Sequence, residues 1–142
     1  MAGDIILGYD GSDGAKAALP EAVAVAKSFG AKLVVAFGYE PNPQGGEVAD
    51  IRHALEQLGE QLTAEGIAAA TEPDPDMRVE VAVIDERPVE SLIRAAEERH
   101  ARMIVVGGNG RGPLAGALLG SVAYRLLHHS TVSVLVVQPN DT

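Results

Sequence analysis

The chain has no cysteine among its 142 residues. Thiolate catalysis, iron–sulfur clusters and cysteine-ligated zinc are therefore excluded, and a reducing compartment suits the composition. Aromatic residues make up only 4%, too few for a platform on which the bases of a single strand could stack. Basic residues are also scarce. Lys and Arg total 11 against 20 Asp and Glu, a net charge of −9. Such a chain repels nucleic-acid backbones, so no nucleic-acid partner is expected. Any phosphate it binds must be held by local donors against an unfavourable overall field. No apolar run approaches the length of a membrane span, so no membrane partner is expected. The opening Met-Ala-Gly-Asp-Ile-Ile-Leu has no basic region and resembles neither a signal nor a transit peptide. The expected location is cytoplasmic.

Several phosphate-binding motifs are missing too. There is no Gly-Lys-Ser/Thr, so no P-loop. The first strand is followed by Gly8-Tyr-Asp-Gly-Ser-Asp-Gly14, which does not fit the dinucleotide pattern G-x-G-x-x-G. Protein-kinase and nucleophile-elbow signatures are absent.

What is present is an alternation of short apolar runs and helical patterns. One domain, residues 1–142, is the expectation for this length. It can bury roughly 70% of its extended-chain surface and needs no staple. Ile5-Ile-Leu7 and Leu33-Val-Val-Ala-Phe37 read as buried strands. Between them Ala15, Ala18, Leu19, Ala22, Val23, Ala26 and Phe29 mark one helix face. Ser12 or Asp13 can cap that helix and Gly30 can end it, while Pro20 should kink it or disturb one turn. Pro41-Asn-Pro-Gln-Gly-Gly46 is a loop by composition.

Val48, Ile51, Leu55, Leu58 and Leu62 form the apolar stripe of a long helix that Glu72-Pro-Asp-Pro-Asp76 breaks. Val79, Val81 and Val83 alternate with Arg78, Glu80 and Ala82, which predicts a strand with one wet face, at a sheet edge or only partly covered. Pro88 suits the first turn of a helix with Val89, Leu92, Ile93 and Ala96 inward. Asp85-Glu86 reads as its cap and first-turn charge. Met103-Ile-Val-Val106 is a strand, Val122 to His129 a helix, and Val132-Ser-Val-Leu-Val-Val137 a closing strand. The order βαβαβαβαβ predicts an α/β fold with a parallel sheet.

The four histidines do not suggest a metal site. His128 and His129 are adjacent, about 100° apart on a helix, and sit where a last turn favours histidine. His53 and His100 are isolated, and Glu97-Glu98 reads as a solvated helix face. No metal ligand set is predicted.

The most informative stretch runs from Gly107 to Ser121, a glycine-rich loop between a strand and a helix. Glycines let backbone approach an anion, and N–H groups of the loop and first helical turn point at it. Gly107, two residues, Gly110, nine residues, then Gly120-Ser121-Val122 resembles the ATP-binding signature of the universal stress proteins, G-x2-G-x9-G-S/T. Ile6-Leu-Gly-Tyr-Asp-Gly-Ser12 looks like that family's opening strand and turn. Leu118 to Val122 and Val134 to Val137 look like its closing elements.

The resemblance implies an open five-stranded parallel sheet in the order 3-2-1-4-5 with helices on both faces, a Rossmann-like adenine-nucleotide-binding fold. It implies ATP, with or without Mg2+, across the carboxyl ends of strands 1 and 4. The residues it places at the nucleotide are Asp10, Gly38, Val106, Gly107, Gly110, Arg111, Gly120, Ser121 and Val122. Asp10 would repel a polyphosphate and is better used on a ribose hydroxyl or the adenine amino group. Ser121 can donate to phosphate from both its hydroxyl and its N–H. Gly38 falls where relatives often carry a larger apolar residue beside the adenine, so its absent side chain would widen that pocket unless Tyr39 packs on the base. Gly8 likewise gives a ligand room.

The resemblance further implies a homodimer through strand 132–137, whose unpaired apolar edge invites association, and a nucleotide-dependent regulatory role in stress response. Two alternatives stay open: a stress-induced interaction protein that binds no nucleotide, and a slow ATPase or autophosphorylating protein.

Overall fold

In the computed structural model, residues 3–39, 48–71, 76–84, 86–108 and 119–138 are described. Five strands, β1 (Ile5–Gly8), β2 (Leu33–Gly38), β3 (Val79–Ile84), β4 (Met103–Gly107) and β5 (Ser133–Val137), form one sheet. All pairings are parallel and the order is β3-β2-β1-β4-β5. Four helices join them: α1 (Asp13–Phe29), α2 (Val48–Thr71), α3 (Pro88–Glu98) and α4 (Ser121–His129).

Strand alternation divides the core. Ile5, Leu7, Leu33, Val35 and Val105 point to the face covered by α1 and α2. Ile6, Val34, Ala36, Ile104 and Val106 point to the face covered by α3 and α4. The central strands are buried on both sides, hence their unbroken apolar runs.

Local signals set the ends of α1. Ser12 is the N-cap, its Oγ accepting from the Ala15 N–H at 3.2 Å. Gly30 ends the helix in the left-handed region at φ 62°. The helix runs through Pro20 without interruption, at the cost of the hydrogen bond that the Lys16 carbonyl would otherwise accept from residue 20. Phe29, expected on the inner face, is 38% exposed. It lies in the last turn, beyond the sheet contact, where the Arg102 guanidinium stacks 3.7 Å from its ring centroid.

Of the apolar stripe expected along α2, Leu58 departs from the sheet-facing side. Leu58 is 45% exposed, and Leu62 is only partly buried against the core. The side chains of Val48, Ile51 and Leu55 fall outside the described set. The buried face is Gly59, Thr63, Gly66 and Ala70. Small residues bring the helix axis close: a Cβ at Gly59 would lie 2.4 Å from Phe37 Cδ1, and one at Gly66 3.1 Å from Val35 Cγ1. Thr63 satisfies its hydroxyl on the Gly59 carbonyl at 2.8 Å.

At the sheet edge β3 holds the position its alternation suggested, but no dry and wet face separate. Val81 is 37% exposed while Ala82 packs against the α3 side, because α2 covers one face of an edge strand only in part. Nor does Glu86 cap α3. The N-cap is Arg87, without a side-chain hydrogen bond, and Glu86 pairs with Arg94. Asp85, like the loops expected at 41–46 and 72–75, lies outside the described residues.

Candidate functional site

The strand order reverses between β1 and β4, and the crevice beyond their carboxyl ends is where open α/β sheets hold ligands. A cleft of about 290 Å³ opens there. Its walls include Gly8 and Asp10 from the end of β1, Gly38 from β2, Val106 and Gly107 from β4, and Gly120, Ser121 and Val122 at the start of α4. The structure thus brings together seven of the nine residues that the sequence singled out. Gly110 and Arg111, with Asn109, lie outside the described residues. Among the described lining residues, none is lysine or arginine and Asp10 is the one carboxylate.

Three helix N-termini converge on this region, and their orphan N–H groups are treated differently. In α1 the Ser12 side chain takes one. α3 starts with Pro88, which has no N–H, and carries Glu90 in its first turn; the backbone N–H beside that carboxyl, with Arg125 2.8 Å away, holds it below the ordinary range. α4 has neither device. Its N-cap, Gly120, makes no side-chain hydrogen bond, and its first turn carries no acid. The N–H groups of Ser121, Val122 and Ala123 have no intrahelical acceptor, and all three residues line the cleft. The Gly120 N–H donates to the Gly108 carbonyl at 2.7 Å, and the Gly108 N–H to Val137 at 2.8 Å. These two bonds fix the start of α4 to the β4–β5 ladder.

Opposite, Asp10 is exposed and its Oδ1 accepts from the Ser12 N–H at 2.9 Å. Gly11 follows at φ 76°, a left-handed turn that aims the chain from β1 into α1. Tyr9 is buried beside Asp10. Burial, with the carboxylates of Glu65 and Asp10 nearby, pushes its phenol above the usual range, so it remains a protonated donor at neutral pH.

Sequence reasoning assigned several glycines here to ligand space, and the fold gives each a second reason to lack a side chain. A Cβ on Gly38 would fall 2.0 Å from Ser91 Oγ, so α3 excludes a side chain there whether or not a ligand is bound. At Gly8 the added atom would meet Leu92 and Val106 at 3.0 and 3.1 Å, a core contact. At Gly107 it would meet the Gly14 backbone at 2.5 Å, so this glycine permits α1 to seat on β4. Tyr39 does not pack over the cleft. It is 5% exposed and its hydroxyl donates to Glu56 Oε1 on α2 at 2.9 Å. Pro88, Leu92 and Ala36 are apolar lining residues that the sequence reading missed. The position of Pro88 at the head of a helix following an edge strand was the available signal.

The sequence model of the universal stress protein family matches residues 1–138. The chain belongs to the universal stress protein family. A universal stress protein of Thermus aquaticus, from the QAH/OAS sulfhydrylase 3' region, is 34% identical over 137 residues, covering 94% of this chain and 97% of its own length. One from Mycolicibacterium smegmatis is 33% identical over 135 residues, 95% of this chain, but the match spans only 45% of that longer protein. Among solved structures, a universal stress protein in complex with cAMP superposes with a TM-score of 0.75 at 29% identity, covering 96% of this chain and 98% of the other. The five-stranded order and the two helical layers are those of this family's Rossmann-like fold.

Proposed function

We propose that this universal stress protein binds an adenine nucleotide, ATP with or without Mg2+, in the cleft between β1 and β4, and that occupancy regulates a stress-response partner. Residues 1–142 act as one domain in this reading. The observation that carries it is the uncapped N-terminus of α4 facing the cleft, with Asp10 across from it. The N–H groups of residues 121–123 and the Ser121 hydroxyl hold phosphate, helped by the helix dipole. Asp10 accepts from the ribose or the adenine amino group. Gly107, Val106 and Val122 shape the wall, Gly38 the base end, and Gly110 and Arg111 complete the phosphate contacts. The related protein solved with cAMP supports an adenine ligand. With Asp10 the one carboxylate among the described lining residues, the cleft offers little means of activating water, so any hydrolysis is slow.

Backbone amide resonances test the assignment. Adding ATP to nucleotide-free protein shifts Ser121, Val122 and Ala123 most, with Gly8 and Gly107 responding. Shifts centred on another surface would contradict it.

The protein works as a cytoplasmic homodimer in this reading, paired through the free edge of β5. The stretch from Arg99 to Asn140 contains no aspartate or glutamate, so this side of a chain of net charge −9 is where two copies meet with least repulsion. Light scattering at micromolar concentration returns twice the 14.7 kDa chain mass. A monomer would overturn the dimer.

A further inference from the structure

We propose that Leu62 on α2 is a positioning residue for Asp10, so that the seating of α2 sets the affinity of the nucleotide cleft; this rests on the nucleotide reading above. Asp10 stands in the turn from β1 to α1, between Tyr9 and Gly11, and α2 packs on both neighbours. A Cβ on Gly11 would lie 2.6 Å from Leu62 Cδ2, and the next nearest atoms, at 3.7 and 3.8 Å, belong to the same side chain. One helical turn further, a Cβ on Gly66 would lie 3.5 Å from Tyr9 Cδ1. Leu62 and Gly66 are four residues apart and share a face of α2. Two successive turns of α2 thus press on the residues either side of Asp10. Asp10 itself is exposed and lines the cleft, whereas Leu62 is not among the lining residues.

Glycine has more backbone freedom than any other residue, so a turn built on Gly11 at φ 76° takes its shape from its neighbours. The Tyr9 N–H donates to the Ala36 carbonyl at 2.9 Å and fixes the entry to the turn. The Ser12 N–H donates to Asp10 Oδ1 at 2.9 Å and ties the carboxylate to the exit. Between these two bonds the bare side of Gly11 rests on Leu62. A carboxylate held in place before a ligand arrives need not be ordered on binding, and affinity gains accordingly. Shortening Leu62 gives Gly11 room to move, and Asp10 and Ser12 move with it. Leu62 is only partly buried, so its truncation leaves the sheet and its core intact. Its effect on a nucleotide therefore passes through Asp10.

The test is calorimetric titration of the nucleotide-free full chain with ATP, AMP and cAMP, in the parent, Leu62→Ala, Asp10→Ala and the double variant. For the tightest of the three ligands, Asp10→Ala weakens binding about tenfold and Leu62→Ala about fivefold. The double variant binds no worse than Asp10→Ala alone, because Leu62 then has nothing left to position. Leu62→Met, which keeps the bulk, binds as the parent does, and Leu62→Val, a milder truncation, loses less than Leu62→Ala in the same cycle. Without nucleotide, the Ser12 amide exchanges its hydrogen faster in the truncated variants than in the parent. Parent affinity in Leu62→Ala and Leu62→Val, an equal loss with and without the Asp10 carboxylate, or unchanged Ser12 exchange overturns the role of Leu62 and leaves the nucleotide reading standing. A folded parent that binds none of the three ligands, or Asp10→Ala binding as the parent does, overturns that reading and the role of Leu62 with it.

Discussion

Gly107 at the end of β4 lies so close to Gly14 in the first turn of α1 that a Cβ on Gly107 would stand 2.5 Å from the Gly14 carbonyl carbon and 2.6 Å from its oxygen. Neither neighbour is a flexible side chain, so the helix itself must move. Gly107→Ala therefore costs about 1–3 kcal/mol as an overpacked contact. Urea melts of variant and parent measure it. An unchanged midpoint would mean that α1 seats on β4 more loosely than the structure shows.

Gly38 and Ser91 are coupled in the same way, but through a side chain. A Cβ on Gly38 would meet Ser91 Oγ at 2.0 Å and Ser91 Cβ at 2.7 Å. Gly38→Ala alone is destabilising by roughly 1–3 kcal/mol. In the background of Ser91→Gly, which itself costs about 0.5–1 kcal/mol of helix propensity, the Gly38→Ala penalty shrinks. A double-mutant cycle should give an interaction energy above about 0.5 kcal/mol; strict additivity would refute the contact.

At the opposite end of the sheet, Glu80 on β3 accepts from Lys32, just before β2, and from Arg99 after α3, the latter at 2.9 Å. Asp4 lies 3.7 Å from Lys32 and completes the cluster. The hydrogen bonds from Lys32 and then Arg99 hold the Glu80 carboxyl below its ordinary range. The stability this adds is present above the unfolded-state pKa and is lost as pH falls through the folded one. The Glu80 side chain is 40% exposed, so solvent screening keeps the contribution under about 1 kcal/mol. Glu80→Gln should be slightly less stable than the parent at pH 7, the difference vanishing in acid. A gap that persists below the carboxylate range would assign the loss to packing.

The strands, their order along the chain and most helix ends were legible because each rests on local chemistry: Ser12 as a cap, Gly30 as a stop, Pro88 at a first turn. Parallel pairing followed from helices lying between strands. Sheet order and the cleft came from resemblance, not from periodicity. On α2 the sequence reading put Leu58 inside and passed over Gly59, Thr63, Gly66 and Ala70, because leucines at helical spacing carry a stronger signal than small residues do. Yet close approach to the sheet requires those small residues. The glycines at 8, 38 and 107 were seen, but not that the packing of the fold itself requires them bare. Their partners, Leu92, Ser91 and Gly14, are remote in sequence, and one chain without its fold does not reveal which backbone will come near. Tyr39 was misplaced for the same reason, since its partner Glu56 belongs to the next helix.

The claim on which this account turns is that the bare N-terminus of α4 holds the phosphates of an adenine nucleotide. Gly120 has φ −64° and ψ 157°, an extended conformation that valine adopts without strain. Gly120→Val therefore adds bulk at the cleft and leaves the backbone acceptable. Calorimetric titration of nucleotide-free parent with ATP, AMP and cAMP should give saturable binding of at least one of them. The same titration of Gly120→Val should give none, with its thermal melt intact. No heat from any of the three with the folded parent, or equal affinity in parent and variant, would contradict the account.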